Sequence, residues 1–262
     1  MEIKVVDFNS FVLKDGVQED FAKANSSART KSYVKQLSGN TYFVSLQDKH
    51  HPLKLLVNNE QFLVHQDQKI VEKISRWQDK QLVRTPFDIL NLIGFETLER
   101  DERLLETAEA AMEVLEERIL DNPQKLQQKQ ILQLHRNAIH LKKQLNEYLA
   151  VFARCKQNTP LWDELILRTQ SSLDNARQVV ELIENLREAY QASVDNKLND
   201  IMKLLTVLAT ILLPINLMTS FFGMNFENMP LIHAYSGIYL FYLVSGLFVI
   251  CSFIYFRKKH WL

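Results

Sequence analysis

Two stretches of the chain carry no charged residue, and they constrain everything else. Leu204 to Phe222 is 19 residues long and Gly237 to Phe256 is 20. At 1.5 Å per residue, each is about the length that crosses a ~30 Å hydrocarbon core. A soluble core helix of that length shows a polar face, and neither run does. Both are therefore read as membrane-spanning helices. Apolar residues are only 47% of the chain, so the average composition conceals them. Thirty-one basic and thirty-one acidic residues balance, and no basic excess points to nucleic acid.

The opening Met1-Glu2-Ile3-Lys4 lacks a basic start followed by an apolar stretch, so no signal peptide is expected. Cys155 and Cys251 lie far apart, the second inside an apolar run, and suggest neither a disulfide framework nor a metal site.

Residues 1–80 read as a small α/β unit. Thr41–Leu46, Leu53–Val57 and Gln61–His65 are apolar and β-branched runs of strand type, with Asn58-Asn59 as a hairpin turn between the last two. The character changes at Pro86. From there to Asp121, and from Gln124 to Lys156, apolar residues recur at three- and four-residue steps, as in Leu134, Ala138, Leu141, Leu145 and Leu149. These are two amphipathic helices, broken at Asp121-Asn122-Pro123 and again at Asn158-Thr159-Pro160. Between Leu161 and Leu213 there is neither glycine nor proline, and an apolar stripe (Ile183, Leu186, Tyr190, Val194, Leu198, Ile201, Leu205) runs straight into the first uncharged span. The spacing predicts one helix from Leu161 to Phe222, about 90 Å long; the alternative is two helices meeting near Asp200. The expected fold class is an α+β membrane protein with three parts: a small α/β unit (1–80), a helical hairpin and stalk (81–200), and a membrane domain (201–262). The membrane domain has spans at about 201–222 and 237–256 and an outer loop at 223–236.

The second span ends in Arg257-Lys258-Lys259-His260-Trp261-Leu262, whereas the loop 223–236 has one Glu and no Lys or Arg. The positive-inside rule puts both termini in the cytosol and the loop outside. Two spans cannot enclose a water-filled path, so a pore requires several copies. Asn216 is an amide inside the first span, where it should face protein or water rather than lipid. Steps of three and four from it give Met202, Leu205, Ala209, Leu213, Asn216 and Ser220: bulky and apolar at one end, small or polar at the other. If this face lines a pore, Met202, Leu205 and Leu213 form apolar constrictions that gate by dewetting. The same steps continue to Asn199, Asp195, Ala192 and Glu188, a polar and partly acidic vestibule. The alternative is that the stripe packs helix against helix.

Immediately after the first span stands Gly223-Met224-Asn225, opening Phe226-Glu227-Asn228-Met229-Pro230. Here the sequence resembles the CorA family of magnesium channels, whose hallmark is Gly-Met-Asn at this place. The resemblance covers about Asn199 to Leu262, including Pro214 within the first span, the loop's Phe-Glu and Met-Pro, and the Lys-rich ending before Trp-Leu. It implies a homopentamer in the cell membrane that passes magnesium, with cobalt or nickel as further cargo. It also implies pore-lining positions at Asn199, Leu205, Leu213 and Asn225, and feedback by cytosolic magnesium.

The tripeptide's chemistry fits. A neutral filter of carbonyls and Asn225 amides can hold hydrated magnesium by its outer waters, which that ion gives up reluctantly. Glycine at 223 lets the backbone turn closely. Acids for a regulatory magnesium are available at Asp163, Glu164, Asp174, Glu181, Glu184 and Glu188, though the regulatory residues themselves are not identified by the sequence. Two departures stand out: Leu231 follows Pro230 where many members carry an acid, and Asn216 stands where a threonine is common. His50-His51 and the pair His135 and His140, five apart, read as surface histidines. No phosphate loop, HExxH or nucleophile elbow occurs, so no enzyme and no cofactor are expected beyond the transported ion. The expected partners are other copies of the chain, the bilayer and divalent cations. Two other readings compete: a zinc-transporting relative of the same topology, and a non-conducting membrane-anchored coiled-coil scaffold.

Overall fold

The computed structural model describes residues 2–8, 18–27, 32–38, 40–47, 52–224 and 237–259. Asn225, the loop 226–236, His50, His51 and the terminal His260-Trp261-Leu262 lie outside the described residues. The chain divides into two compact units, Met1–Glu188 and Ala189–Leu262.

In the first unit, β1 (Glu2–Val6), α1 (Gln18–Ser27), β2 (Tyr33–Ser38), β3 (Thr41–Leu46), β4 (Leu53–Val57) and β5 (Gln61–His65) precede α2 (Gln68–Asp79). The sheet order is β1-β5-β4-β3-β2, antiparallel except for the parallel pair β1–β5. Phe43, Leu56 and Leu63 are cross-strand neighbours and meet Phe8, Phe21 and Ala24 in one apolar layer. Phe8 and Phe21 pack edge-on, with ring centroids 5.4 Å apart. The opposite set, Val44, Leu55 and Val64, is equally buried. Helices cover both faces, so the strands read as apolar runs rather than alternating ones.

The three strands foreseen in the sequence begin and end where expected. The hairpin turn between β4 and β5 is shifted by one residue. Asn58 pairs with Gln61 through the backbone at 3.0 Å, so Asn59 and Glu60 form the turn. The Asn58 carboxamide oxygen accepts from the amides of Glu60 (2.9 Å) and Gln61 (2.6 Å). Asn58 thus acts as the turn's hydrogen-bonding side chain, not as a central residue. Among the described residues only Gln66 and Gln81 are non-glycine residues with positive φ, so the turn is not of the mirror-image hairpin type.

Three long helices follow: α3 (Pro86–Asp121), α4 (Lys125–Cys155) and α5 (Pro160–Phe222). Thr85 caps α3 reciprocally with Asp88, and Pro86 occupies the first helical position. At α4 the Gln124 backbone amide donates to the Gln127 side-chain oxygen (2.7 Å), and the Gln127 side-chain amide donates to the carbonyls of Arg118 and Asn122. That side chain pins the α3–α4 hairpin at its tip. Farther along, buried Asp101 accepts from Gln144 at 2.8 Å; Gln144 also meets the Tyr148 hydroxyl, which donates to the Gln47 carbonyl. The chain of bonds ties both helices to the end of β3.

α5 docks where α3 carries no side chain. A Cβ on Gly94 would come 2.8 Å from Leu165 Cδ2 and 3.0 Å from Phe152 Cζ, so glycine lets α3, α4 and α5 converge. Above this point Glu102 receives two bonds from Arg168 (3.1 and 2.5 Å) and one from Ser172 (2.6 Å). Cys155 and Cys251 are free thiols. Burial pushes the Cys155 thiol up to about 12, which leaves it unreactive.

Leu165 and Phe152 are both fully buried, so neither can yield freely to a methyl group at Gly94. Gly94→Ala is expected to cost about 1–3 kcal/mol, read as a lower thermal midpoint of the purified protein. A second expectation concerns acid. Burial alone would raise the Glu102 carboxyl, but the bonds from Arg168 and Ser172 and the Arg168 charge hold it below the ordinary range. Its stabilisation is therefore present above the unfolded pKa of about 4.3 and lost as pH falls through the lower folded value. The stability gap between wild type and Glu102→Gln should narrow as pH drops from neutral into that window. A gap independent of pH would contradict this.

Candidate functional site

The second unit contains the C-terminal part of α5 and one further helix, α6 (Gly237–Lys258). Both helices are long and apolar enough to cross a membrane, and only 6% of each apolar window is buried. A soluble core helix would be mostly covered. Such exposure among the described residues fits helices covered by lipid, by other copies, or by both.

The contact between them is a single seam. Val207 is 3% exposed, and Ser245 Oγ lies 3.6 Å from Met218 Sδ. Ser252 and Phe256 are the buried residues of α6. Because Met218 meets Ser245, Val207, eleven residues earlier, falls level with Phe256, eleven residues later, in an antiparallel pair. Two serines seven apart in an otherwise apolar run are the sequence signal of this seam, which the periodicity of α5 alone did not reveal.

The stripe read from the sequence lies on the other side of α5. At 100° per residue, Met202, Leu205, Ala209, Leu213, Asn216 and Ser220 fall within an arc of about 80°, some 160–180° from Val207 and Met218. Met202 and Leu205 are each 65% exposed and Leu213 is 66% exposed, and Asn199 and Asn216 are also exposed. The face thus has no partner within the chain's described residues. Hydroxyls elsewhere in the span are satisfied locally: Thr206 donates to the Met202 carbonyl (2.8 Å), Thr210 to Thr206 (2.7 Å) and Thr219 to Ile215 and Asn216 (3.1 and 3.0 Å). Asn216, by contrast, presents an exposed amide on the bare face.

Gly223 closes α5, donating its amide to the carbonyls of Thr219 (3.0 Å) and Ser220 (3.2 Å). Its φ is not left-handed, so the glycine is not required by handedness. A Cβ there would sit 3.3 Å from the Thr219 carbonyl oxygen of the helix's own last turn. Met224 is exposed. Asn225, the third member of the tripeptide, lies outside the described residues. At the far end of α6, Arg257 and Lys258 stand in the last turn, where positive charge suits the helix dipole.

Of the acids singled out on α5, Asp163 pairs with Lys156 (2.5 Å), Asp174 with Arg177 (2.7 Å) and Glu184 approaches His135 (3.4 Å). Among the described residues, no group of three or more His, Cys, Asp or Glu is gathered closely enough to hold a metal.

The family described as CorA-like Mg2+ transporter protein matches residues 9–258. The chain belongs to that family. The cobalt/magnesium transport protein CorA of Thermotoga maritima is 33% identical over 168 residues, covering 61% of this chain and 48% of that protein. The magnesium transport protein CorA of Escherichia coli is 29% identical over 102 residues, covering 38% of this chain and 31% of its own length. The matched stretches thus span less than half of these relatives. In architecture the chain is similar to the complete CorA magnesium transporter from Methanocaldococcus jannaschii (TM-score 0.66, 20% identity, 92% of this chain and 84% of that one). It is also similar to the full-length CmaX protein (TM-score 0.70, 18% identity, 95% and 83%). At these identities the likeness establishes the fold: a small N-terminal sheet, long helices and two candidate membrane helices.

The seam makes a local prediction. Val207→Trp overfills the α5–α6 contact and is expected to cost about 1–3 kcal/mol. Leu208→Trp, on an exposed side, should be close to neutral. Thermal unfolding of the detergent-purified protein, followed by size exclusion, separates the two.

Proposed function

We propose that this chain is one subunit of a divalent-cation channel, chiefly for magnesium, in which the bare face of α5 lines a pore shared by several copies. The observation that carries the reading is the position of that face: directly opposite the seam with α6, exposed, and graded from apolar to polar. A helix in lipid has no reason to keep Asn216 uncovered on its outer side, since an unpaired amide in hydrocarbon is costly. Water inside a ring of copies removes that cost. Family membership supports the same reading, and relatives named as magnesium and cobalt/magnesium transport proteins supply magnesium and cobalt as cargo.

In this reading Gly223, Met224 and Asn225 form the outer filter. Asn225 side chains accept hydrogen bonds from the waters of the hydrated ion, and α5 continues inward past Asn216 to rings of Leu213, Leu205 and Met202, with Asn199 below them. Narrow leucine rings disfavour water and close the path; polar substitutions wet it. Five copies, both termini in the cytosol and a cell-membrane location complete the arrangement. Cytosolic magnesium closes the pore by bridging acids of α5 between neighbouring copies, because the acids of one chain are spread along its helix rather than gathered.

Uptake into proteoliposomes tests the cargo. Magnesium entry that zinc does not replace supports the magnesium reading; zinc entry alone selects the zinc-transporting reading, and no entry selects a scaffold. Asn225→Ala should lower magnesium uptake by at least an order of magnitude in a protein shown to be assembled, since conduction needs the filter's acceptor oxygen. Normal uptake would remove the filter assignment. Leu205→Asn should raise leak severalfold at high internal magnesium, and a wild-type leak would place the constriction elsewhere. Thiol labelling of intact cells should reach a cysteine at Ser236 and miss one at Ser171.

A further inference from the structure

The hairpin of α3 and α4 carries two lines of charge that are almost without ion-pair partners among the described residues. Along α3 the exposed acids Glu99, Glu106, Glu113 and Glu117 follow steps of seven, seven and four. Along α4, read backwards, the exposed bases Lys143, Arg136, Lys129 and Lys125 follow the same steps of seven, seven and four. Only Glu99 of the eight has an ion-pair partner among the described residues, Arg103 on its own helix at 3.4 Å. At 100° per residue the four bases point almost directly away from the face of α4 that buries Leu141, Leu145 and Tyr148. The four acids lie on the flank of α3 turned away from α4. The two series are therefore on separate outer surfaces of one unit and do not meet each other within it.

We propose that this acidic flank of α3 docks against the basic stripe of α4 on a second copy of the chain, head to tail around the assembly. The inference rests on the cyclic assembly proposed above and adds which surfaces meet. Two different patches that complement each other form a heterologous contact, which closes into a ring when the rotation allows it. The register agrees. Within one hairpin, Asp101 stands level with Gln144 and Arg118 with Gln127. A copy generated by rotation about an axis parallel to the hairpin keeps those levels. On them Glu99, Glu106, Glu113 and Glu117 are each three residues, about 4.5 Å, from level with Lys143, Arg136, Lys129 and Lys125. The offset has the same direction for all four, so one small adjustment, within reach of lysine and arginine side chains, aligns the whole set. Leu132 (43% exposed) and Ile139 (40% exposed) lie beside the bases and supply the apolar contact that exposed ion pairs alone lack. The charges set partner and register more than strength.

Single cysteines in the full-length, detergent-purified protein decide it, in a Cys251→Ser background that leaves only buried Cys155. Chains carrying Glu106→Cys and chains carrying Arg136→Cys are co-expressed and treated with a bis-maleimide spanning about 10 Å, the separation of packed helices. The mixture should give a covalent dimer, and each variant alone should give at least tenfold less. Equal dimer from either variant alone would mean like faces meet, and overturns the pairing. An intact oligomer with no cross-link in the mixture also overturns it while leaving the assembly standing; light scattering that finds only monomer sinks the assembly itself. As an independent measure, reversing the bases (Lys129→Glu, Arg136→Glu, Lys143→Glu) should weaken association on the order of tenfold. Adding Glu99→Lys, Glu106→Lys and Glu113→Lys should restore it. Reversal that leaves association unchanged, or that the second set does not rescue, counts against the pairing.

Discussion

Hydrocarbon offers no hydrogen bonds, and the second unit is organised around that fact. Each span closes its own backbone ladder except at Pro214, and the threonine hydroxyls of α5 fold back onto carbonyls three or four residues earlier. What remains is a helix that touches α6 along one narrow seam and is bare elsewhere. Lipid can cover Leu208 or Leu217 without penalty. It cannot cover Asn216 on the same terms. The proposals of a shared pore and of a ring of copies both follow from that one amide and the apolar face it continues.

Much of this was legible in sequence, for reasons that differ by element. The breaks at Pro123 and Pro160 were plain because proline removes a donor and restricts its neighbour, and helix ends follow. β3, β4 and β5 were plain because both faces of the sheet are covered, which turns each strand into a short apolar run. β1 and β2 were not, since each is an edge strand with polar residues interleaved, as in Glu2-Ile3-Lys4 and Lys35-Gln36. The hairpin turn slipped by one residue because two adjacent asparagines offer the same chemistry, and only the strand register shows which one accepts the hydrogen bonds. Gly94 carried no signal at all: a glycine inside a helix reads as a mild penalty until a third helix is seen arriving against it.

The membrane face shows the same division. Its periodicity was visible because Asn216 is a polar landmark in an apolar run, and steps from it reach Met202 and Leu213 unaided. That this face lies opposite the seam with α6 could not be read from α5. It depends on where α6 lies, which rests on Ser245, Ser252 and Phe256 in a different helix. The close turn expected at Gly223 continues into Asn225, which lies outside the described residues.

Within the second unit, α5 has neither glycine nor proline from Ala189 to Leu213. The first interruption is Pro214, which cannot donate to the Thr210 carbonyl. It stands between Leu213 and Asn216, where the bare face passes from apolar to polar. Sharp bends in helices gather at such residues rather than spreading along the axis. Within the second unit, a bend of α5 is thus expected near Pro214 rather than at Leu205. In the proposed channel the leucine rings would move with the lower helix, while the outer polar segment, beyond the proline, would be partly insulated. A gate that moves and a filter that holds still require a hinge between them, and Pro214 is where the backbone chemistry of this helix provides one.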